Sequence, residues 1–247
     1  MVICHISDTH GAKFHSKLRI PECDVLIHSG DIGNRTNNLE LAEFLIWFSE
    51  QPAKKKIFIA GNHDLILDKN WVETQKERNS IVGMIAEQMY EEGQKLLKKF
   101  DVEYLLNSGC EYEGIKFWGS PYSPSFHREH WAFNADKGRE ISRYWDMIPT
   151  DTDVLIVHTP PFGIQDWLNN GQERQGCLEL NIVVSNIQPL LFLCGHIHEG
   201  YGYEVKGRTT YVNSSVLNKE YVLTNEPFLI EISTINEGFK EVKILNE

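Results

Sequence analysis

Cysteine is scarce in this sequence: five residues in 247, odd in number, spread over positions 4, 23, 110, 177 and 194, with no CxxC pair. That excludes a disulfide framework and a cysteine-built structural zinc site, and it reads as reduced thiols in a cytoplasmic protein. Long apolar runs are missing too. No stretch approaches the roughly 18 residues a membrane-spanning helix needs, and the opening "MVICHISDTH" has neither a basic leader nor a cleavage signal, so no secretion and no membrane partner is expected. Basic residues are in the minority, 24 Lys and Arg against 35 Asp and Glu, for a net charge of −11. A long nucleic acid would meet repulsion over most of such a surface, whereas a small anion binds wherever a local cation outweighs that field. There is no internal repeat, low-complexity tract or Pro/Gly-rich linker. Residues 1–247 are therefore read as one domain, a mixed pair of sheets with helices outside.

What is present is alternation. "VICHIS", "DVLIHSG", "NNLELAEFLIWFSE" and "KIFIAG" read as β, β, α, β, with Leu41, Phe44, Leu45 and Phe48 at helical spacing and Asn37 or Asn38 available as N-cap. Helical patterns recur over residues 81–99, weakened near Gly93, over 136–146, and in "LELNIVVSN". "CEYEGIKFWGS" reads as a hairpin, and beyond residue 201 short strands alternate with turns at Lys206-Gly207 and near Gly238. Residues 121–134, broken by Pro121 and Pro124, read as a long loop. Its Tyr122, Phe126, His127, His130 and Trp131 offer a stacking surface for a nucleotide base, although a folded surface loop is the simpler reading.

The chemistry gathers where apolar runs end. "VICHIS" leads to Asp8 and His10, "DVLIHSG" to Asp31, "KIFIAG" to Asn62, His63 and Asp64, "VLIV" to His158, and "LLFLCG" to His196 and His198. In α/β sheets the ligand crevice lies beyond the carboxyl ends of the strands, so these tips can converge although they span 190 residues. Residues two apart on an extended segment point the same way, which predicts Asp8 with His10 and His196 with His198 as paired ligands. Gly30, Gly61 and Gly195, each directly before a candidate ligand, let the chain turn there without crowding the site. His5 and His28, inside strand runs, read instead as hydrogen-bonded core residues.

Carboxylate, amide and imidazole donors without thiolate suit Mn²⁺ best, with Fe or Zn²⁺ as alternatives. Seven ligands, Asp8, His10, Asp31, Asn62, His158, His196 and His198, are too many for one four-coordinate ion and fit two, with Asp31 as the bridging carboxylate. Two divalent ions against two carboxylates leave a cationic pocket suited to phosphate. Such a pair lowers the pKa of a bridging water and holds the attacking and leaving oxygens of an in-line displacement. His63, beside Asn62, is the candidate catalytic acid for the leaving oxygen.

"DTH" at 8–10, "GD" at 30–31, "GNHD" at 61–64, His158 and "GHIH" at 195–198 resemble, in order, the five blocks of the calcineurin-like metallophosphoesterases. "HTPPFGIQDW" and "GHIHEGYG" resemble the metallophosphoesterase-domain-containing branch, whose members include nucleotide phosphodiesterases. The resemblance implies a four-layer αββα sandwich, two mixed β-sheets flanked by helices. It implies one metal on Asp8, His10, Asp31 and His198, and a second on Asp31, Asn62, His158 and His196. His63 would be the general acid in a phosphodiesterase acting on a small nucleotide-like phosphoester. "YVNSS" at 211–215 resembles a turn that lies near the site in many members. Where the superfamily's protein phosphatases read GDxxDRG, this chain has Asn34, Arg35 and Thr36. Asn34 then offers a hydrogen bond to orient His63, and Arg35 a bidentate contact to phosphate, with exposure on a loop as the alternative reading of Arg35. A nuclease or phosphoprotein phosphatase of the same superfamily, and a non-catalytic metal-binding scaffold, are the competing functions.

Overall fold

The computed structural model describes every residue except 16, 127–129, 169–170, 235–239 and 247. The continuously apolar runs become parallel strands, because a strand flanked by neighbours and covered by a layer on each face has no solvated side. Val2–Ile6, Cys23–Ser29 and Ala53–Ile59 lie parallel in a six-stranded sheet, with Glu103–Tyr104 parallel at one edge and Phe228–Thr234 and Lys240–Ile244 antiparallel at the other. A second six-stranded sheet holds Thr209–Asn213, Leu191–Cys194, Val154–Val157 and Ile115–Ser120 in parallel. Its edges, Gly202–Lys206 and Ser108–Tyr112, are antiparallel.

Alternating side chains split the core in two. Ile3, Val25, Ile27 and Ile57 share one buried cluster with Val154, Ile156, Leu191, Leu193 and Val212 of the other sheet. Cys4, Ile6, Leu26 and Phe58, with Leu155, Val157 and Phe192, belong instead to the cluster that contains the helical residues Leu41, Phe44, Phe48, Trp145, Leu180 and Val184. This is the expected αββα sandwich.

The helix Asn38–Ser49 settles the choice of cap. Asn37 Oδ1 accepts from Leu39 N and Glu40 N, at 2.9 and 3.1 Å, while Glu40 Oε2 accepts from Asn37 N at 3.2 Å, a reciprocal capping box. The helix Ser80–Leu97 runs unbroken through Gly93, which is buried against Ile66 and Leu41. Arg139–Trp145 and Leu178–Ile187 are helical as expected. Lys69–Arg78 is a further helix that the sequence pattern did not reveal; it buries only Val72 and Gln75, too little for an apolar period to show.

The 108–120 hairpin turns at Glu113 and Gly114, both with positive φ, as a two-residue turn of its hand requires. The turn near Gly238 lies outside the described residues, and the strands flanking it pair antiparallel. Loop 121–134 carries a short parallel pair, Ser123–Pro124 with Asn134–Ala135. Among the described residues no helix is long and apolar enough to cross a membrane. The two sheets are tied at one end, where Ser7 N donates to Ser214 O and Val216 N to Ser7 O, each at 3.0 Å. That tie brings the carboxyl ends of both sets of parallel strands together.

Candidate metal centre

All five strand ends reach one place. Side-chain atoms of Asp8, His10 and His198 lie within 4.8 Å of one another, as do those of His10, Asp31 and His63, and of Asp31, His158 and His196. Asp31 is common to the second and third groups. Asn62 Oδ1 lies 3.1 Å from His158 Nε2, which adds the seventh expected ligand. Every one of these side chains except His196 is buried.

The route differs from simple strand alternation. Asp8, His10, Asp31 and His196 have φ of 55°, 46°, 58° and 68°, so the chain has left the extended conformation before the ligands appear. His196 and His198 consequently do not act as a pair: His198 faces Asp8 and His10, while His196 faces Asp31 and His158. Non-glycine residues in left-handed backbone cost stability, and here they are held by the loops. His10 N donates to Asp31 O and Gly11 N to Ile32 O. The Asp64 carboxylate collects the amides of Asp31, Ile32 and Gly61 and the Thr36 hydroxyl. Burial, then the neighbouring Asp31, pushes the Asp64 carboxyl up to about 6.

Gly61 and Gly195 serve by absence of volume. A β-carbon on Gly61 would fall on Asp31 Oδ1 and 2.6 Å from His158 Cε1, and one on Gly195 would fall on Ser7 Oγ and Asp8 Oδ2. Gly30, at φ 106°, answers both demands, since its β-carbon would meet His158 Nδ1 at 2.5 Å. The 211–215 segment orders the site as well. Ser215 Oγ donates to Asp8 Oδ2 at 2.8 Å, and Asn213 Nδ2 donates to Ile197 O at 2.9 Å.

The donor set fits divalent cations for a reason that lies in the tautomers. His158 Nδ1 donates to Ser29 O and His198 Nδ1 to Asn218 O, both at 2.9 Å. Each neutral ring therefore presents a bare Nε2 inward, the arrangement by which backbone carbonyls orient metal-binding imidazoles. Those nitrogens face carboxylates and another ring: His158 Nε2 lies 3.4 Å from Asp31 Oδ2, and His198 Nε2 lies 3.5 Å from Asp8 Oδ1 and 3.3 Å from His10 Nε2. A positive charge between them, a metal ion or in its absence a proton on Nε2, turns that opposition into attraction. His10 Nδ1 is buried without a hydrogen-bond partner among the described residues.

The titration pattern agrees. Burial pulls His158 down, but the Asp31 carboxylate outweighs it and pushes the ring up to about 9. His198 likewise rises to about 8 against burial, through Asp8. His10 and His196 are lowered by burial to about 4 and about 3. Without metal, each carboxylate thus retains one protonated imidazole, a single positive charge where an ion would sit.

His63 is placed with its Nδ1 2.5 Å from Asn34 O and its Nε2 4.0 Å from Asp31 Oδ2. The Asn34 side chain is not the orienting group that the sequence suggested; the backbone carbonyl is. Trp131 packs on His63 at 4.2 Å between ring centroids, and His10 meets it edge-on at 4.6 Å. Arg35 is exposed, its guanidinium 5.3 Å from the Trp131 ring and its Nη2 on His130 O at 3.4 Å, so loop 121–134 takes up part of its donor fork. Of that loop's aromatics, Tyr122 stacks on Tyr144 at 3.5 Å within the core, while Phe126 lies 5.9 Å from His196. His127 lies outside the described residues.

Two participants carried no signal in the sequence: Asn218, whose carbonyl tethers His198, and Tyr221, whose ring sits 4.8 Å from His10 and 5.1 Å from His198. His5 and His28 are core residues, bonded to Ser29 and Ser214 and to Thr9.

Comparison with known proteins agrees with this geometry. The chain is 37% identical over 234 residues to the human metallophosphoesterase domain-containing protein 1, covering 93% of this chain and 70% of that one. It is 36% identical over 231 residues to the Caenorhabditis elegans UPF0046 protein K07C11.7, covering 94% and 74%. The structure of TT1561 of Thermus thermophilus superposes over 99% of both chains with a TM-score of 0.58 at 14% identity, a likeness of fold. With the calcineurin-like phosphoesterase family matching residues 1–200, and all five of its blocks meeting at one buried centre, the chain belongs to that family.

Proposed function

We propose that this protein is a phosphodiesterase for a small nucleotide-like phosphoester, working through two divalent ions, Mn²⁺ in preference to Fe or Zn²⁺. The observation that carries the reading is the pair of oxygen-and-nitrogen clusters, Asp8–His10–His198 and Asp31–His158–His196, beside an oriented His63. In it, Asp8, His10, Asp31 and His198 hold one ion, and Asp31, Asn62, His158 and His196 hold the other. Bound there, the ions supply positive charge to the phosphoryl oxygens and lower the pKa of the attacking water.

The rest falls to the chain's own groups. Asn34 O fixes the His63 ring through Nδ1, so that Nε2 faces the centre and gives its proton to the departing oxygen. Trp131 packs on that ring and limits its movement. The preference for a diester rests on a pocket at each end of the centre. One, of about 390 Å³ at His196, is lined by Pro124, Phe126, Leu168 and Ile197, with Lys137 and Gln175 as polar groups, a surface suited to a flat base. The other opens at His10. A monoester would fill one of them.

The test is hydrolysis of bis-p-nitrophenyl phosphate and p-nitrophenyl phosphate by Mn²⁺-loaded and chelator-stripped protein. We expect activity only with metal, and a higher kcat/KM on the diester. Equal rates with and without metal would refute the metal dependence, and faster turnover of the monoester would refute the diester preference.

A further inference from the structure

The pocket at the His10 end differs in character from the one at His196. It has a volume of about 340 Å³ and is lined by His10, Lys13, Phe14, Asn34 and Tyr221. Among the described residues its lysine, Lys13, is exposed and lies 4.6 Å from the face of the Phe14 ring. Asn34, also exposed, lines the pocket too, and its backbone carbonyl holds His63. His63 adjoins this pocket through two of its lining residues, meeting the His10 ring edge-on at 4.6 Å and bonding to Asn34 O, so on the phosphoesterase reading the departing group faces it.

Tyr221 forms the wall against the centre. It adopts φ 57°, a left-handed conformation that favours glycine, yet the position carries a bulky aromatic ring laid toward His10 and His198. A short turn enforces it: Tyr221 N donates to Asn218 O at 2.9 Å, and Asn218 Oδ1 accepts from Glu220 N and Val222 N, each at 3.0 Å. Strained backbone that points a side chain into a site signals that the side chain is used there.

We propose that the Lys13–Asn34–Tyr221 pocket receives a second anionic group carried by the departing part of the substrate, so that the substrate class is a phosphoester or phosphoanhydride with two separate negative centres. In the reaction, the water oxygen bonds to phosphorus, one of its protons passing to bulk solvent, and the bond from phosphorus to the departing oxygen breaks. The bonding pair stays on that oxygen, which takes the proton from His63 Nε2. The second anion is a spectator held by the Lys13 ammonium and the Asn34 amide. In a protein of net charge −11, a lysine at this mouth decides whether a further negative charge is admitted.

This inference rests on the phosphoesterase reading, and the two fail separately. The probes are inorganic phosphate and methylenediphosphonate, whose binding to Mn²⁺-loaded protein is measured by calorimetry at fixed free Mn²⁺, with metal content checked by elemental analysis. In the unaltered protein we expect methylenediphosphonate to bind at least about tenfold more tightly than phosphate. In K13Q that ratio falls toward one. Lys17, exposed and outside the pocket, serves as control, and K17Q is expected to keep the ratio. An unaltered protein that does not distinguish the probes, a ratio unchanged in K13Q, or an equal loss in K17Q would each overturn the subsite. Failure to hydrolyse bis-p-nitrophenyl phosphate would count against the enzyme reading instead.

Discussion

Metal loading should be read out in protons. In the metal-free chain His158 and His198 are raised to about 9 and about 8, both above the ordinary histidine value of 6.5, by the carboxylates of Asp31 and Asp8 acting against burial. A raised pKa means the proton is held at neutral pH and given up only as pH climbs through the raised value. Since both Nδ1 atoms are committed to backbone carbonyls, the extra proton sits on Nε2, the atom that faces the centre. Two ions binding at pH 7 must then displace roughly two protons; near pH 8.5 about one remains to be displaced, and above pH 10 almost none. Displacement at pH 7 costs on the order of 4 kcal/mol, about a thousandfold in the product of the two binding constants relative to pH 10. Titration calorimetry with Mn²⁺ in buffers of different ionisation enthalpy counts the protons directly. Ionisation of a bound water adds protons as pH rises, whereas this displacement declines by about two between pH 7 and 10. A release that stays constant or grows across that window would refute the tautomer argument.

Replacing His63 by Asn should lower kcat/KM by roughly 10² to 10⁴ while metal content, measured by elemental analysis, stays at the level of the unaltered protein. Unchanged turnover would remove His63 from the reaction. Gly195→Ala sets a β-carbon onto Ser7 and Asp8, so we expect weakened metal binding and a stability loss of about 1–3 kcal/mol in denaturant melts. Gly207→Ala, in an open turn, should cost about 1 kcal/mol through its positive φ alone and leave metal binding intact. His15, buried against Trp47 with both ring nitrogens unpartnered among the described residues, is lowered to about 4 by burial. Its contribution to stability is complete above pH 6.5 and lost as pH falls through the window from 6.5 to about 4, on the order of 3 kcal/mol. His15→Phe should make that part of the pH–stability curve less steep by this amount, the other burial-lowered histidines His5, His10, His28 and His196 keeping theirs; an unaltered acid slope would contradict it.

Legibility in the sequence followed the range of the forces involved. The capped start of the helix at Asn37 or Asn38, the hairpin within residues 108–120 and the apolar strands depend on residues within a few positions of one another, and these were readable, while the choice of Asn37 and the turn at Glu113-Gly114 came with the structure. The helix Lys69–Arg78 was not, because a helix that buries two side chains imposes almost no periodicity. Reading His196 and His198 as a pair failed because it assumed extended backbone beyond the strand, where the loops instead impose positive φ. The partner of His63 was sought among side chains, and a main-chain carbonyl has no sequence signature.

Sequence alone determined which chemical groups are available and that they stand at strand tips, since a short apolar run bounded by glycine reads as a strand buried on both faces, with the next polar residue at its end. Tertiary structure decided the rest. The grouping of ligands into two clusters, the inward tautomers of His158 and His198, and the lysine-bearing pocket under Tyr221 arise from contacts between distant segments, Ser215 and Asp8 among them at 207 residues apart. Such contacts depend on how two sheets are tied at Ser7, and no local pattern encodes that distance.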